Sequence, residues 1–219
     1  MDELIPLTPQ LWEATYETLY IVGLSLFFGG LGGLLLGLGL YTTRPGSLLG
    51  NRAVFGTLNV LVNIFRPIPF IIFLAAAQPL ARAVTGTGIG NSAIIFTLSL
   101  AAAFGISRIV EQNLLTVQPG VIEAARSLGA GRLRIILTII IPEALGPLIL
   151  GYTFIFVALV DMSAVAGYVG GGGLGNFAIQ YGYRQFNPVV TWAAVLVIIL
   201  LVQAVQFLGN SLARKALRR

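Results

Sequence analysis

The feature that most limits what this chain can fold into is a succession of apolar runs separated by short stretches that carry most of its arginines. A helix needs about 20 apolar residues to cross the hydrocarbon of a bilayer. Runs of that order occur at 18–40, 55–80, 92–110, 144–165 and 189–208. With 57% hydrophobic and 10% charged residues in 219, and a mean hydropathy of +0.91, the chain is too apolar for a soluble domain of this length. The alternation of apolar and polar residues that a membrane β-barrel needs is absent, so the spans are predicted to be helical. The expectation is an all-α integral membrane protein of about five transmembrane helices, forming one domain over 1–219 without a linker or a repeat of fixed period.

The spans carry their own instructions. In the first, Gly29, Gly33 and Gly37 recur every four residues, a ridge that lets another helix approach its backbone. The second is broken by Arg66-Pro67-Ile68-Pro69, and Arg66 needs a partner or a route to the interface. In the third, Arg108 and Glu111 are three apart and predict an ion pair at the membrane interface. The fourth contains Asp161, which either lines a pathway and attracts an ammonium group or lies near the outer interface beside a cation such as Arg184. The segment 168–188, opened by Gly170-Gly171-Gly172-Gly173-Leu174-Gly175, reads as a loop whose Phe177, Tyr181 and Tyr183 serve as interfacial anchors.

Charge sets the orientation. The loop after span one has Arg44 and Arg52, the interruption after span three has Arg126, Arg132 and Arg134, and the tail has Arg214, Lys215, Arg218 and Arg219. The other side has Arg82 and Arg184, together with Asp2, Glu3 and Glu13. Basic loops stay in the cytoplasm, which places the N-terminus outside and the C-terminus inside. The N-terminal stretch lacks the basic start of a signal peptide and is expected to remain. The net charge of +5 follows from this topology and does not call for nucleic acid.

The interruption at 119–142 is a basic amphipathic segment between two apolar spans, suited to lie on a membrane face where a soluble partner can grip it. Gln118-Pro119-Gly120 marks a turn. Val121, Ala124, Ala125 and Leu128 then fall at helical spacing, and Gly129-Ala130-Gly131 ends the first short helix. A second is predicted from Arg132 to Ile141, where Pro142 stops it and starts another. The two alanines are expected to form one narrow ridge, with Glu123 at its edge offering a carboxylate to a basic partner.

Glu123-Ala124-Ala125, three residues, Gly129, nine residues, Ile139, one residue, Ile141 and Pro142 together resemble the EAA signature of permease subunits of binding-protein-dependent ABC importers, with Ile141 where leucine is usual. Further stretches resemble the methionine-uptake branch: Val62-Asn63-Ile64-Phe65-Arg66 with Ile68-Pro69-Phe70-Ile71, Pro142-Glu143-Ala144-Leu145, and Gly172-Gly173-Leu174-Gly175 with Gln180-Tyr181-Gly182-Tyr183. The resemblance implies a type I ABC importer permease fold in a bacterial cytoplasmic (inner) membrane. It also implies a second copy of the chain, two cytoplasmic ABC ATPase subunits and an extracytoplasmic methionine-binding protein, with lipid around the spans. The ATPase would be gripped through Glu123, Ala124, Ala125, Arg126, Ser127, Leu128, Gly129 and Ala130. The family's gate lies late in span four, where Asp161-Met162-Ser163-Ala164-Val165 departs from the usual Gly-Tyr-Ser-Ala-Met. By carry-over, Asp161, Met162, Ser163 and Val165 are the pathway candidates. The implied cargo is methionine, its D-form and related amino acids included.

The chain has no cysteine and no histidine, which removes thiolate chemistry and the usual histidine metal sites. It has no G-x-x-x-x-G-K-[ST] sequence to hold a nucleotide, and no nucleophile beside a base. No catalytic residue, metal ligand or cofactor is therefore expected in this chain; ATP and magnesium belong to the ATPase. The alternatives are a permease for another amino acid or small solute and, from another class, a channel or ion-coupled secondary transporter.

Overall fold

The computed structural model describes residues 5–217. Asp2, Glu3, Arg218 and Arg219, which entered the charge argument, lie outside the described residues. Helix α1 (Thr8–Thr43) is followed by α2 (Arg52–Phe65), α3 (Phe70–Thr85) and α4 (Asn91–Leu114). The short helices α5 (Pro119–Ser127), α6 (Arg132–Ile135) and α7 (Ile141–Glu143) lead into α8 (Leu145–Tyr168); α9 (Leu174–Phe177) and α10 (Pro188–Leu217) complete the chain. Among the described residues there is no β-strand, and α1, α4, α8 and α10 are each long and apolar enough to span a membrane. The pair α2 and α3, bent by 114° at the 66–69 break, makes a fifth span when counted as one broken passage.

Helix α1 starts ten residues before the predicted span. Pro9 sits in its first turn, where a missing amide hydrogen costs nothing, and no proline interrupts it before Pro45. It lies parallel to α4 along most of that helix's length. A Cβ added at Gly29 would stand 2.6 Å from the Ser99 carbonyl oxygen, one at Gly33 2.5 Å from the Ile106 Cβ, and one at Gly37 2.5 Å from the Val110 Cβ. The predicted ridge is thus the contact surface itself. Helix α8 runs antiparallel to α4, with Asn113 Nδ2 donating to the Pro147 carbonyl at 3.1 Å, and Tyr152 fastens it to α1 by donating to the Gly30 carbonyl at 2.7 Å. Hydroxyls within the spans serve themselves: those of Thr97, Ser99, Thr153 and Ser163 each donate to a carbonyl one turn back.

The directions of these helices carry the 44–52 loop, α5 and the end of α10 to one end of the bundle, so Arg44, Arg52, Arg126, Arg132, Arg134, Arg214 and Lys215 share it. The expected pair Arg108–Glu111 forms at 2.5 Å, with side chains 15% and 5% exposed, in the last two turns of α4. Two expectations need correction. The segment 168–188 is largely helical, because α9 is prolonged by a π-helical turn (Ala178–Gly182) and a 3-10 turn (Tyr183–Gln185). Phe177 is 2% exposed and packs with Leu174, Val190 and Ala194, so it is a core residue of that hairpin and not an interfacial anchor. Finally, Pro142 does not separate two helices. A π-helical stretch (Ile136–Ile140) precedes it, the Ile141 amide donating five residues back to Ile136. The wider turn takes up the proline ring and its missing donor.

The glycine contacts differ sharply along α1, which gives an internal control. A Cβ at Gly23 meets nothing within 4 Å. Gly37→Ala is expected to destabilise the detergent-solubilised protein by about 1–3 kcal/mol, while Gly23→Ala leaves it unchanged or slightly raised. Thermal unfolding followed by fluorescence size-exclusion chromatography measures both.

Candidate functional site

Two regions carry the predicted site residues, at opposite ends of α8. At the basic end, Gln118 ends the turn after α4 and Pro119 opens α5 with a fixed φ. The helix closes at Gly129, whose φ of +78° favours glycine. The Gly129 amide donates to the Arg126 carbonyl, and the Ala130 amide to that of Ala125, both at 3.0 Å. Adjacent residues on a helix point about 100° apart, and the two alanines divide accordingly. Ala125 is 8% exposed and joins the main core with Ile135 and Ile140, whereas Ala124 faces outward. The predicted ridge is therefore made by Val121, Ala124 and Leu128, with Leu128 88% exposed. Glu123, Arg126 and Ser127 are exposed around it, and Ala130 is half-buried. Ser127 returns its hydroxyl to the Glu123 carbonyl at 3.1 Å, leaving the Glu123 carboxylate unused by this bond. A cavity of 290 Å³ lies between α5 and the turn after α1, lined in part by Tyr41, Arg44, Ile122, Glu123 and Arg126.

At the other end of α8 the four pathway candidates do not share one face. Ser163 is buried and its hydroxyl donates to the Val160 carbonyl at 2.8 Å. Met162 is half-buried against the main core. Asp161 is exposed, with half-buried Val165 one turn above it. Phe154 and Tyr168, seven residues to either side of Asp161, are exposed as well, so the carboxylate belongs to a stripe of α8 that the protomer leaves open. Among the described residues the one ion pair is Arg108–Glu111; Arg184 and Asp161 do not meet.

Sequence reasoning missed what supports this end. The Glu17 carboxylate of α1 accepts from the Gly173 amide at 2.7 Å and from Asn91 Nδ2 at 3.2 Å. Asn91 accepts from the Gly172 amide at 3.0 Å, and the Thr18 hydroxyl from the Leu174 amide at 2.8 Å. These bonds take up three successive backbone donors of the glycine run and bind the hairpin to α1 and α4. A Cβ at Gly172 would lie 2.2 Å from Glu17 Oε2 and displace that carboxylate from its bonds, and Gly173 holds a φ of +89°, which favours glycine. The available signal was Glu17 itself, an acid at the edge of an apolar run with no basic residue nearby in sequence. No group of His, Cys, Asp or Glu that could hold a metal ion occurs among the described residues.

Known proteins share both the sequence and this architecture. The chain is 41% identical over 213 residues to the probable D-methionine transport system permease protein MetI of Pasteurella multocida, covering 95% of this chain and 98% of that one. It is 42% identical over 201 residues to the methionine import system permease protein MetP of Bacillus subtilis, covering 92% and 90%. A chain of the inward-facing MetNI methionine ABC transporter superposes with a TM-score of 0.94 at 40% identity, over 97% of this chain and 98% of that one. A chain of an amino acid ABC transporter solved with histidines has the same fold at 21% identity and a TM-score of 0.79, over 97% and 96%. Residues 21–218 match the family described as the inner membrane component of binding-protein-dependent transport systems, and the chain belongs to that family.

Proposed function

We propose that this chain is the membrane subunit of an ATP-driven importer for methionine, its D-form and related amino acids included, and that α5 transmits the ATPase stroke. The observation that carries the reading is the stripe Val121, Ala124 and Leu128: apolar side chains exposed on the end of the bundle that also holds seven described basic residues. Basic loops mark the cytoplasmic side, so the stripe faces water unless a cytoplasmic protein covers it. The names of the relatives supply the cargo, and that of the solved neighbour the class of transporter.

In the working complex two copies of the chain would enclose the pathway, each with an ATPase subunit on its α5, and a binding protein would deliver cargo at the opposite face. Closure of the ATPases on ATP would draw the two α5 helices together and tilt α8. Cargo would then enter from outside, and hydrolysis would return the pathway to its inward opening. This chain's part is mechanical and electrostatic; ATP and magnesium would lie in the partner.

Asp161 refines the choice of cargo. A carboxylate facing hydrocarbon costs at least about 2.5 kcal/mol at the centre of a span. Its open stripe is therefore expected to face the pathway, where it would attract the ammonium group of an amino acid. The reading yields two tests. In the complex reconstituted with its ATPase and binding protein, Glu123→Arg and Ala124→Trp should lower ATP-dependent uptake about tenfold while membrane insertion is unchanged; normal coupled uptake in both removes α5 from the mechanism. Asp161→Asn should raise the KM for amino-acid uptake about five- to tenfold, read with radiolabelled methionine at saturating binding protein, and an unchanged KM removes Asp161 from the pathway.

A further inference from the structure

The guanidinium of Arg108 is the meeting point of two helices. One nitrogen donates to Glu111 on its own helix at 2.5 Å. Another donates to the side-chain oxygens of Asn63, at 2.7 Å, and Asn59, both on α2. Asn59 and Asn63 are one turn apart on the face that α2 turns to α4. Apart from this fork, α2 is held by apolar packing: Val62 is its one buried residue among the described ones, Phe55 and Leu58 join a cluster with Leu36 and Leu40 of α1, and Phe65 stacks on Phe104 of α4 with ring centroids 4.9 Å apart. The charge of Arg108 is balanced by a residue of its own helix, and its bonds to α2 go to neutral amides. Helix α2 can therefore leave α4 without exposing an unpaired charge within the membrane, which a bond between a cation on one helix and an anion on the other would not allow.

The position gives this contact a consequence. Arg108 stands two turns before the end of α4, and four residues separate α4 from α5. Beyond Asn63 comes the 66–69 break, where Pro67 and Pro69 lack backbone donors and the chain turns by 114°. A displacement of α5 acts on α4 directly and reaches α2 through the Arg108 fork, and Phe65 meets Phe73 of α3 with ring centroids 6.4 Å apart, so the start of α3 follows α2. We propose that Arg108 is a positioning residue for transport, a releasable joint that holds α2 to α4 in one state of the cycle and lets it part in the other. This rests on the importer reading above.

The test uses the complete complex with ATPase and binding protein in proteoliposomes. Asn59→Ala/Asn63→Ala removes the acceptors and keeps the Arg108–Glu111 pair. It should leave assembly and basal ATP hydrolysis unchanged and lower the cargo moved per ATP about tenfold. Asn59→Asp puts an anion on α2 and should hold the joint shut, slowing uptake and cargo-stimulated hydrolysis together. Because the chain has no cysteine, Val54→Cys and Gln112→Cys, both at exposed positions, can be spin-labelled on the purified chain before it is assembled with the ATPase and binding protein. The distance between α2 and α4 should change when ATP is trapped, whether or not the asparagine variants assemble. An unchanged distance, or a normal ratio of cargo to ATP in an assembled Asn59→Ala/Asn63→Ala complex, overturns the joint. Uptake by the unaltered complex that does not require ATP overturns the importer reading, and the joint with it.

Discussion

The close approach of α1 to α4 is the contact on which the rest of the bundle depends. In a bilayer the lipid is as apolar as a leucine side chain, so burying hydrocarbon does little to bring two helices together; contact between atoms has to do it. Gly29, Gly33 and Gly37 supply that contact by removing side chains over two turns, so that Ala102, Ile106 and Val110 lie against the backbone of α1. Once the two helices are parallel and in register, Glu17 and Thr18 come level with the start of α4 and can meet the glycine run of the hairpin. Tyr152 brings α8 to the same pair through the Gly30 carbonyl.

Much of this was legible because it is written locally. The apolar runs have lengths fixed by bilayer thickness, the glycines have a spacing set by the helical turn, and the basic residues share one end because they follow the first, third and fifth passages. The fold followed from these, and so did the place of the 119–142 segment. What escaped was written at a distance. A run of glycines reads as a loop, and only residues 81 and 156 positions away show that its amides are held. Arg108 reads as half of an i,i+3 pair, and its other partners lie 45 and 49 residues earlier. The site was less legible than the fold for the same reason. Ala124 and Ala125 are one motif in sequence, but one faces outward and the other is core, and the choice is made by Ile135 and Ile140 folding back beneath α5.

The basic segment joins α8 through Pro142, which in the sequence ends one helix and starts the next. Instead, a π-helical stretch widens the turn below it, and the amides of Ala144 and Leu148 keep their bonds to the Ile140 and Ala144 carbonyls. From Arg132 to Asp161 the backbone is helical except at Ala144, about 40 Å of chain at the helical rise. In the proposed cycle, a short helix gripped at the foot of this chain would move the side chains at the far end of α8. The other route from α5, through α4 to the bent pair α2 and α3, has the opposite character, since it passes a joint of neutral hydrogen bonds and a break with two prolines. In the proposed cycle, a stiff arm and a yielding one leaving the same end of the bundle would let one displacement produce two different motions, a tilt of α8 and a parting of α2 from α4. An opening that changes its access from one face to the other needs both, because a bundle that only tilted as a body would keep its shape.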